Sequence, residues 1–291
     1  MRIYDPRLGK FLSVDPITKN YASLTPYQFA SNTPLQAVDW DGLEAFFIHG
    51  TGSDNSRWII DNDNKNTLEG TKQLLRLTGN ATYNARFEWG GSFLNWGNGP
   101  FNNKSDRHDA ATKLVNYIMV MVDGTQDVTL IGHSHGGNVA IQALPILRAA
   151  LDAKGFKDVK INLITLSTPV DNTKGSVENP ETYGNLINKH IHIYNTSDLI
   201  QVAGADAAAA IDAAAENKPL ENFKRKYKFL KTQNVEINVE KLYTHETSTV
   251  GRQGEKLTIK SVDGVGVHSV DNEHPEFIKQ KIDDGTIPKI K

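Results

Sequence analysis

The sequence predicts an α/β protein with a mostly parallel central sheet and helices on both faces. Three observations carry this expectation. Short apolar runs of strand length alternate with longer runs of helical period, the pattern of parallel strands joined by crossover helices. The stretch from Val128 to Ala140 passes from an apolar run through Gly132-His133-Ser134-His135-Gly136 straight into a helical pattern. Finally, 291 residues, 38% of them apolar, are enough to bury a large core.

Taken in chain order, residues 1–43 carry Pro6, Pro16, Pro26 and Pro34 and show no helical periodicity. Prolines at such intervals prevent long helices and favour short strands joined by turns. The turn Asp39-Trp40-Asp41-Gly42, followed at once by Ala45-Phe46-Phe47-Ile48, marks a domain edge. Two domains are therefore expected, 1–43 and 44–291. In the second, a strand at 45–48 precedes a helix at 67–77 and a strand at 83–87. A helix at 106–121 follows, with Ala110, Ala111, Leu114, Val115, Ile118, Met119 and Val122 recurring on one face until Asp123-Gly124 stops it. Next come a strand at 128–131, a helix at 137–153 and strands at 161–166 and 191–194. The alternation in 235–243 and 256–262 reads as a hairpin, and Pro275 opens a last helix to residue 281.

Composition excludes several classes. The 32 basic and 34 acidic residues leave a net charge of −2, too little positive field to expect a nucleic-acid partner. No run reaches the ~18 apolar residues of a membrane span, and MRIYDPRLGK has no apolar signal region. The absence of cysteine excludes disulfides, thiolate metal sites and cysteine nucleophiles. It leaves the compartment open. Asp61-Asn62-Asp63-Asn64-Lys65-Asn66 lacks the glycine and the final acid of a calcium loop and reads as a polar turn. With no zinc spacing or phosphate loop either, no metal and no cofactor are expected.

The chemistry is concentrated at G-H-S-H-G. Glycines flank the turn because side chains there would collide with the adjoining strand or helix, and Ser134 is thereby thrust above the sheet edge. The helix beginning behind it offers unpaired amides and a positive dipole end to a developing oxyanion. A serine nucleophile needs a base, and the base an orienting acid. In nucleophile-elbow hydrolases these follow in the order Ser, Asp or Glu, His. Asp198, after the strand at 190–195, is the first choice of acid, and Asp171, after the preceding strand, is in reserve. Among the histidines beyond Asp198, His268 sits on a Gly-rich loop ahead of the last helix. His274, directly before Pro275, is its alternative, and His245 reads as part of a solvated hairpin. His133 and His135 lie inside the elbow, where their side chains do not easily reach back to Ser134. The expected oxyanion hole combines the His135 amide with that of Thr51 in Ile48-His49-Gly50-Thr51-Gly52.

These residues support two family resemblances. Residues 45–291 resemble an α/β-hydrolase of the lipase/esterase kind through F-F-I-H-G-T-G, F-E-W-G-G at 87–91, D-R-H-D-A-A-T-K-L and V-T-L-I-G-H-S-H-G-G-N-V-A. The first 43 residues resemble the end of an RHS-repeat-associated core. The matching stretches are Y-D-P-R-L-G-K-F-L-S-V-D-P from Tyr4 and T-P-Y-Q-F-A-S-N-T-P from Thr25. RHS cores form a β-shell around a C-terminal toxin and often cut themselves at D-P-x-G-L with an aspartate pair. The corresponding Asp39-Trp40-Asp41-Gly42-Leu43 lacks the proline. The resemblance implies cleavage after Leu43, with Asp15 and Asp39 as the carboxylates. It also implies a secreted antibacterial effector delivered by a type VI apparatus, working in the periplasm or at the membrane surface of target cells. The implied partners are the RHS shell of the parent protein and a cognate immunity protein.

Some seventy residues separate Asp198 from His268, more than one connection requires. Within them, 205–215 is a small-residue helix former, and Lys218–Lys231 carries six basic residues and one acid. We expect a lid and membrane-docking surface there. Its basic residues would lie on anionic headgroups, with Phe223, Tyr227, Phe229 and Leu230 in the interface. A solvated Lys-rich helix face is the alternative. The expected activity is serine acyl-ester hydrolysis, with lipid ester, above all phospholipid, as substrate. A small-ester, thioester or amide hydrolase is the alternative, and a partner-binding module on the same scaffold is a non-enzymatic one.

Overall fold

The structure is a computed structural model that describes residues 4–5, 10–11, 43–51, 53–58, 65–79, 82–89, 104–171, 173–195, 198, 201, 228–237, 244–250, 256–262, 266–269 and 274–290. The chain divides into two compact units, Met1–Asp41 and Gly42–Lys291. In the first, β1 (Tyr4–Asp5) and β2 (Lys10–Phe11) pair antiparallel, with Tyr4 opposite Phe11. Asp15 and Asp39, the aspartates expected to cut the chain, lie outside the described residues. The division falls slightly ahead of residue 43 because Leu43 already pairs with Asp127 in the main sheet.

The second unit is built on a six-stranded sheet with the order β4-β3-β5-β6-β7-β8, parallel throughout. Its strands are β3 (Leu43–Ile48), β4 (Thr82–Asn84), β5 (Asp127–His133), β6 (Ile161–Leu166), β7 (Lys189–Tyr194) and β8 (Gln233–Glu236). The helices are α1 (Lys65–Leu77), α2 (Lys104–Met121), α3 (His135–Ala153) and α4 (Pro275–Asp283). Strand residues alternate between two cores. Phe46, Ile48, Val128, Leu130 and Leu163 pack with Leu114 and Ile118 of α2 and Leu144 and Leu147 of α3. Ala45, Phe47, Ile131, Ile164 and Ile191 pack with Leu74 and Leu77 of α1 and Ile278 and Ile282 of α4. Burial on both faces is why the strands read as continuous apolar runs rather than as an alternation. Among the described residues, no helix is long and apolar enough to cross a membrane.

Two sequence expectations are corrected here. Of the 235–243 stretch, residues 238–243 lie outside the described residues, and 235–237 do not pair with 256–262. Instead β8 extends the main sheet beside β7, where Val235 and Ile237 bury next to Ile191 and Ile193. The hairpin partner of β10 (Lys256–Val262) is β9 (Thr244–Val250), which places His245 opposite Ser261. Phe229, expected at a membrane interface, is buried in the core and meets the His192 ring edge-on at 5.2 Å. Its neighbour Leu230 is 75% exposed. Residues 205–215 and most of 218–231 lie outside the described residues.

A buried ion pair fixes α2 and α3 to the loop between β6 and β7. Arg107 of α2 donates through Nε and Nη2 to the two carboxylate oxygens of Glu178, the latter bond at 3.0 Å. Gln142 of α3 donates to Glu178 Oε1 at 2.8 Å and to the Lys104 carbonyl at 3.2 Å. All three side chains are almost wholly buried, so the guanidinium has no solvent to replace a lost carboxylate. Glu178→Ala should therefore cost about 3–5 kcal/mol, read as a lower urea midpoint. Breaking the exposed Lys279–Asp283 pair by Lys279→Ala should leave the midpoint unchanged.

Candidate active site

Ser134 occupies the single residue between β5 and α3, at φ 53° and ψ −134°. A non-glycine residue held in such a region costs about 1–3 kcal/mol and persists only where its surroundings dictate it. Its amide donates to the Leu166 carbonyl at 2.9 Å, and its carbonyl accepts from Gly137 N at 3.0 Å. The glycines around it are steric requirements. A Cβ on Gly132 would lie 2.5 Å from Cα and N of Gly137, and one on Gly136 would lie 2.4 Å from the carbonyl oxygens of Ile48 and His49. On Gly137 it would meet Thr168 Oγ1 at 2.0 Å. The end of β5 is thus pressed against α3, the end of β3 and the start of the loop after β6.

The loop after β3 runs directly beside Ser134. A Cβ on Gly50 would stand 2.7 Å from Ser134 Cβ and 3.3 Å from its Oγ. Thr51 Oγ1 and His135 Nδ1 are hydrogen-bonded at 2.9 Å, so the two residues expected to offer oxyanion amides are locked together through their side chains. Trp89 pins the loop from behind. Its Nε1 donates to the His49 carbonyl at 2.8 Å, and its ring stacks on the His49 imidazole with centroids 5.9 Å apart. F-E-W-G-G stands out in the sequence, but residue type alone assigns Trp89 no such task.

Asp198 and His268 meet. His268 Nδ1 donates to Asp198 Oδ2 at 2.8 Å, with the carboxylate fully buried. Its second oxygen accepts from Gln201 N at 2.9 Å. Gln201 is in turn held by Asn195 N at 3.1 Å, a support the sequence did not disclose. Because an ionised carboxylate only accepts, Nδ1 of His268 carries the hydrogen, and in the neutral ring Nε2 is left with a lone pair. The reserve residues are engaged elsewhere. Asp171 closes a turn, accepting from Thr173 N and Ser176 Oγ, each at 2.9 Å, and from Lys104 Nζ. Burial pushes its carboxyl up, but the Lys104 ammonium and the Thr173 and Ser176 donors outweigh this and hold it well below the usual carboxylate range. His274 caps α4 and faces Glu276 at 3.1 Å on the surface.

One contact was not anticipated. His133 reaches the His268 segment. The two rings lie 4.8 Å apart, and His133 Nε2 donates to the His268 backbone carbonyl at 2.9 Å. In sequence His133 is a candidate only for contact with Ser134, and a bond to a distant carbonyl leaves no trace in residue type.

Burial holds four histidines uncharged. His133 lies well below its ordinary value, through burial first and then the charges of Arg57 and His268. His135 is lowered to about 3 by burial, then by Arg107 and His268. On β7, burial and then His192 lower His190, and burial alone lowers His192 to about 3. Thr165 Oγ1 lies between the two β7 rings, 3.0 Å from His190 Nε2 and 2.7 Å from His192 Nδ1.

No family model matches the chain, and no curated protein does. A crystal structure of Plasmodium falciparum PdxK with the ligands AMP-PNP and PL is similar at 9% identity, covering 75% of this chain and 74% of that one, with a TM-score of 0.26. Similarity that low carries nothing over to this chain.

The buried histidines contribute to a dependence of stability on acid pH. His133, His190 and His192 are neutral when folded and titrate near 6.5 when unfolded, so below that pH the unfolded chain binds more protons. Their contribution is complete above about pH 6.5 and is lost as pH falls toward the folded values. Each such group removes on the order of 1 kcal/mol per pH unit in that window. The urea midpoint should be level from about pH 7 to 8 and fall steeply below about pH 6. His190→Gln, which does not titrate, should flatten the fall.

Proposed function

We propose that residues 42–291 form a serine acyl-ester hydrolase of the α/β-hydrolase kind, with Ser134 as nucleophile, His268 as base and Asp198 as the acid that orients it. One observation carries this reading. A serine in a strained strand-to-helix turn shares a structural unit with a buried Asp–His pair whose tautomer leaves Nε2 free to accept a proton.

In the proposed reaction Ser134 Oγ attacks the ester carbonyl while His268 Nε2 takes the hydroxyl proton. The carbonyl oxygen becomes an oxyanion received by the Thr51 and His135 amides, held in place by the Thr51–His135 side-chain bond. Asp198 stabilises the imidazolium so formed. His268 then gives the proton to the departing alcohol, and water, deprotonated by the same imidazole, releases the acid from the acyl-serine. No metal or cofactor enters this scheme.

The likeness of residues 1–43 to an RHS core supports a narrower reading, the toxin tip of a secreted antibacterial effector acting on membrane phospholipid. On that reading, docking at the bilayer would fall to the Lys218–Lys231 lysines and Leu230 rather than to Phe229.

Purified chain should hydrolyse a short-chain chromogenic ester. Ser134→Ala and His268→Ala should each lose at least about three orders of magnitude in kcat, and Asp198→Asn about 10³–10⁴-fold. A wild-type protein with no turnover would contradict the assignment. For the substrate class, lipid profiling of exposed membranes should show phospholipid falling and lysophospholipid rising with wild type but not with Ser134→Ala. Unchanged profiles would exclude phospholipid while leaving the esterase intact.

A further inference from the structure

We propose that His133 is a positioning residue for this reaction. It holds the main chain of the base-bearing segment through its Nε2–H bond to the His268 carbonyl, while Asp198 holds the ring. The inference rests on the hydrolase reading above and goes beyond it by assigning work to a residue outside the Ser–His–Asp set.

The geometry supplies the reason. His268 belongs to the short turn Gly266–Ser269, 135 residues beyond His133 in sequence. A bond from Asp198 to Nδ1 alone leaves the backbone beneath the ring able to shift, and the Nε2 lone pair would shift with it. The second bond, from His133 to the carbonyl, fixes the point from which the ring projects. His133 immediately precedes Ser134, so one stretch of β5 sets both the nucleophile and the seat of its base. The two imidazoles also pack against each other at 4.8 Å, both largely buried.

The residue type follows from charge as well as reach. A carbonyl only accepts, so His133 Nε2 carries the hydrogen and the neutral ring is the Nε2–H tautomer. Proton transfer from Ser134 makes His268 cationic, and a second cation at this distance would oppose that step. Burial and the nearby Arg57 charge keep His133 neutral. The position therefore needs a donor without charge that is long enough to span to the loop. Histidine satisfies both requirements, and glutamine is the conservative substitute.

Three measurements test this. With the short-chain ester, His133→Phe keeps the ring and removes the donor. It should lower kcat by about 10²-fold, the scale of a small misplacement of a reacting group, with KM unchanged. His133→Gln, which restores a neutral donor, should recover most of that loss. In the wild-type protein, ¹⁵N-histidine NMR should show His133 as the neutral Nε2–H tautomer from about pH 6 to 8, a readout independent of whether any variant folds. Wild-type kcat in folded His133→Phe, a Gln variant no better than Phe, or a His133 that is protonated or Nδ1–H in the wild type would overturn the proposal. Ser134→Ala separates the two claims. If it abolishes turnover while His133→Phe keeps the wild-type kcat, only the positioning role fails. If turnover survives Ser134→Ala, the hydrolase reading itself fails.

Discussion

Where β5 gives way to α3, backbone atoms of neighbouring segments approach more closely than any side chain would allow. Gly132 faces the Gly137 backbone, Gly136 faces the carbonyls of Ile48 and His49, and Gly137 faces Thr168. This crowding is the constraint on which the rest of the site depends. It forces Ser134 into a left-handed, costly conformation and brings the Gly50–Thr51 loop against its side chain. The strain is local, whereas what holds it is distributed: a parallel sheet buried on both faces, and helices α2 and α3 clamped by the Arg107–Glu178 pair. A rigid scaffold carrying a strained residue is the arrangement expected when a reactive group must be held out of its relaxed geometry.

Electrostatics around the turn follow one rule, that charge is either compensated or absent. The buried Asp198 carboxylate receives donors at both oxygens, and the buried Arg107 and Glu178 neutralise each other. The His133 and His135 imidazoles are kept uncharged by burial. An imidazolium forming at His268 would therefore meet a carboxylate in contact and neutral rings beside it. The same burial makes the fold sensitive to acid, because protonating the core histidines favours the unfolded chain.

How much of this is legible in sequence depends on how local the cause is. The strand–turn–helix junction at Ser134 reads directly, because the glycines that permit the turn lie within five residues of one another. The sheet reads nearly as well, since burial on both faces leaves continuous apolar runs. At 235–237 the reading fails, because alternation suits a parallel edge strand and a hairpin equally and only burial beside Ile191 and Ile193 chooses. Chain order ranks Asp198 above Asp171, but what separates them in space is non-local: Asp198 meets a histidine and Asp171 meets Lys104. Phe229 misleads because an aromatic among lysines looks interfacial when its ring in fact turns inward. The His133 bond and the Arg107–Glu178 clamp lie furthest from the sequence, since each joins residues distant in the chain and one ends on a carbonyl that every residue possesses.

The central claim, that Ser134 is an activated nucleophile, is tested most directly by covalent labelling. A fluorophosphonate probe, with the modified peptide located by mass spectrometry, should give one stoichiometric adduct on Ser134, and His268→Ala should suppress it. An unlabelled protein, or an adduct on another serine such as Ser167, would contradict the account.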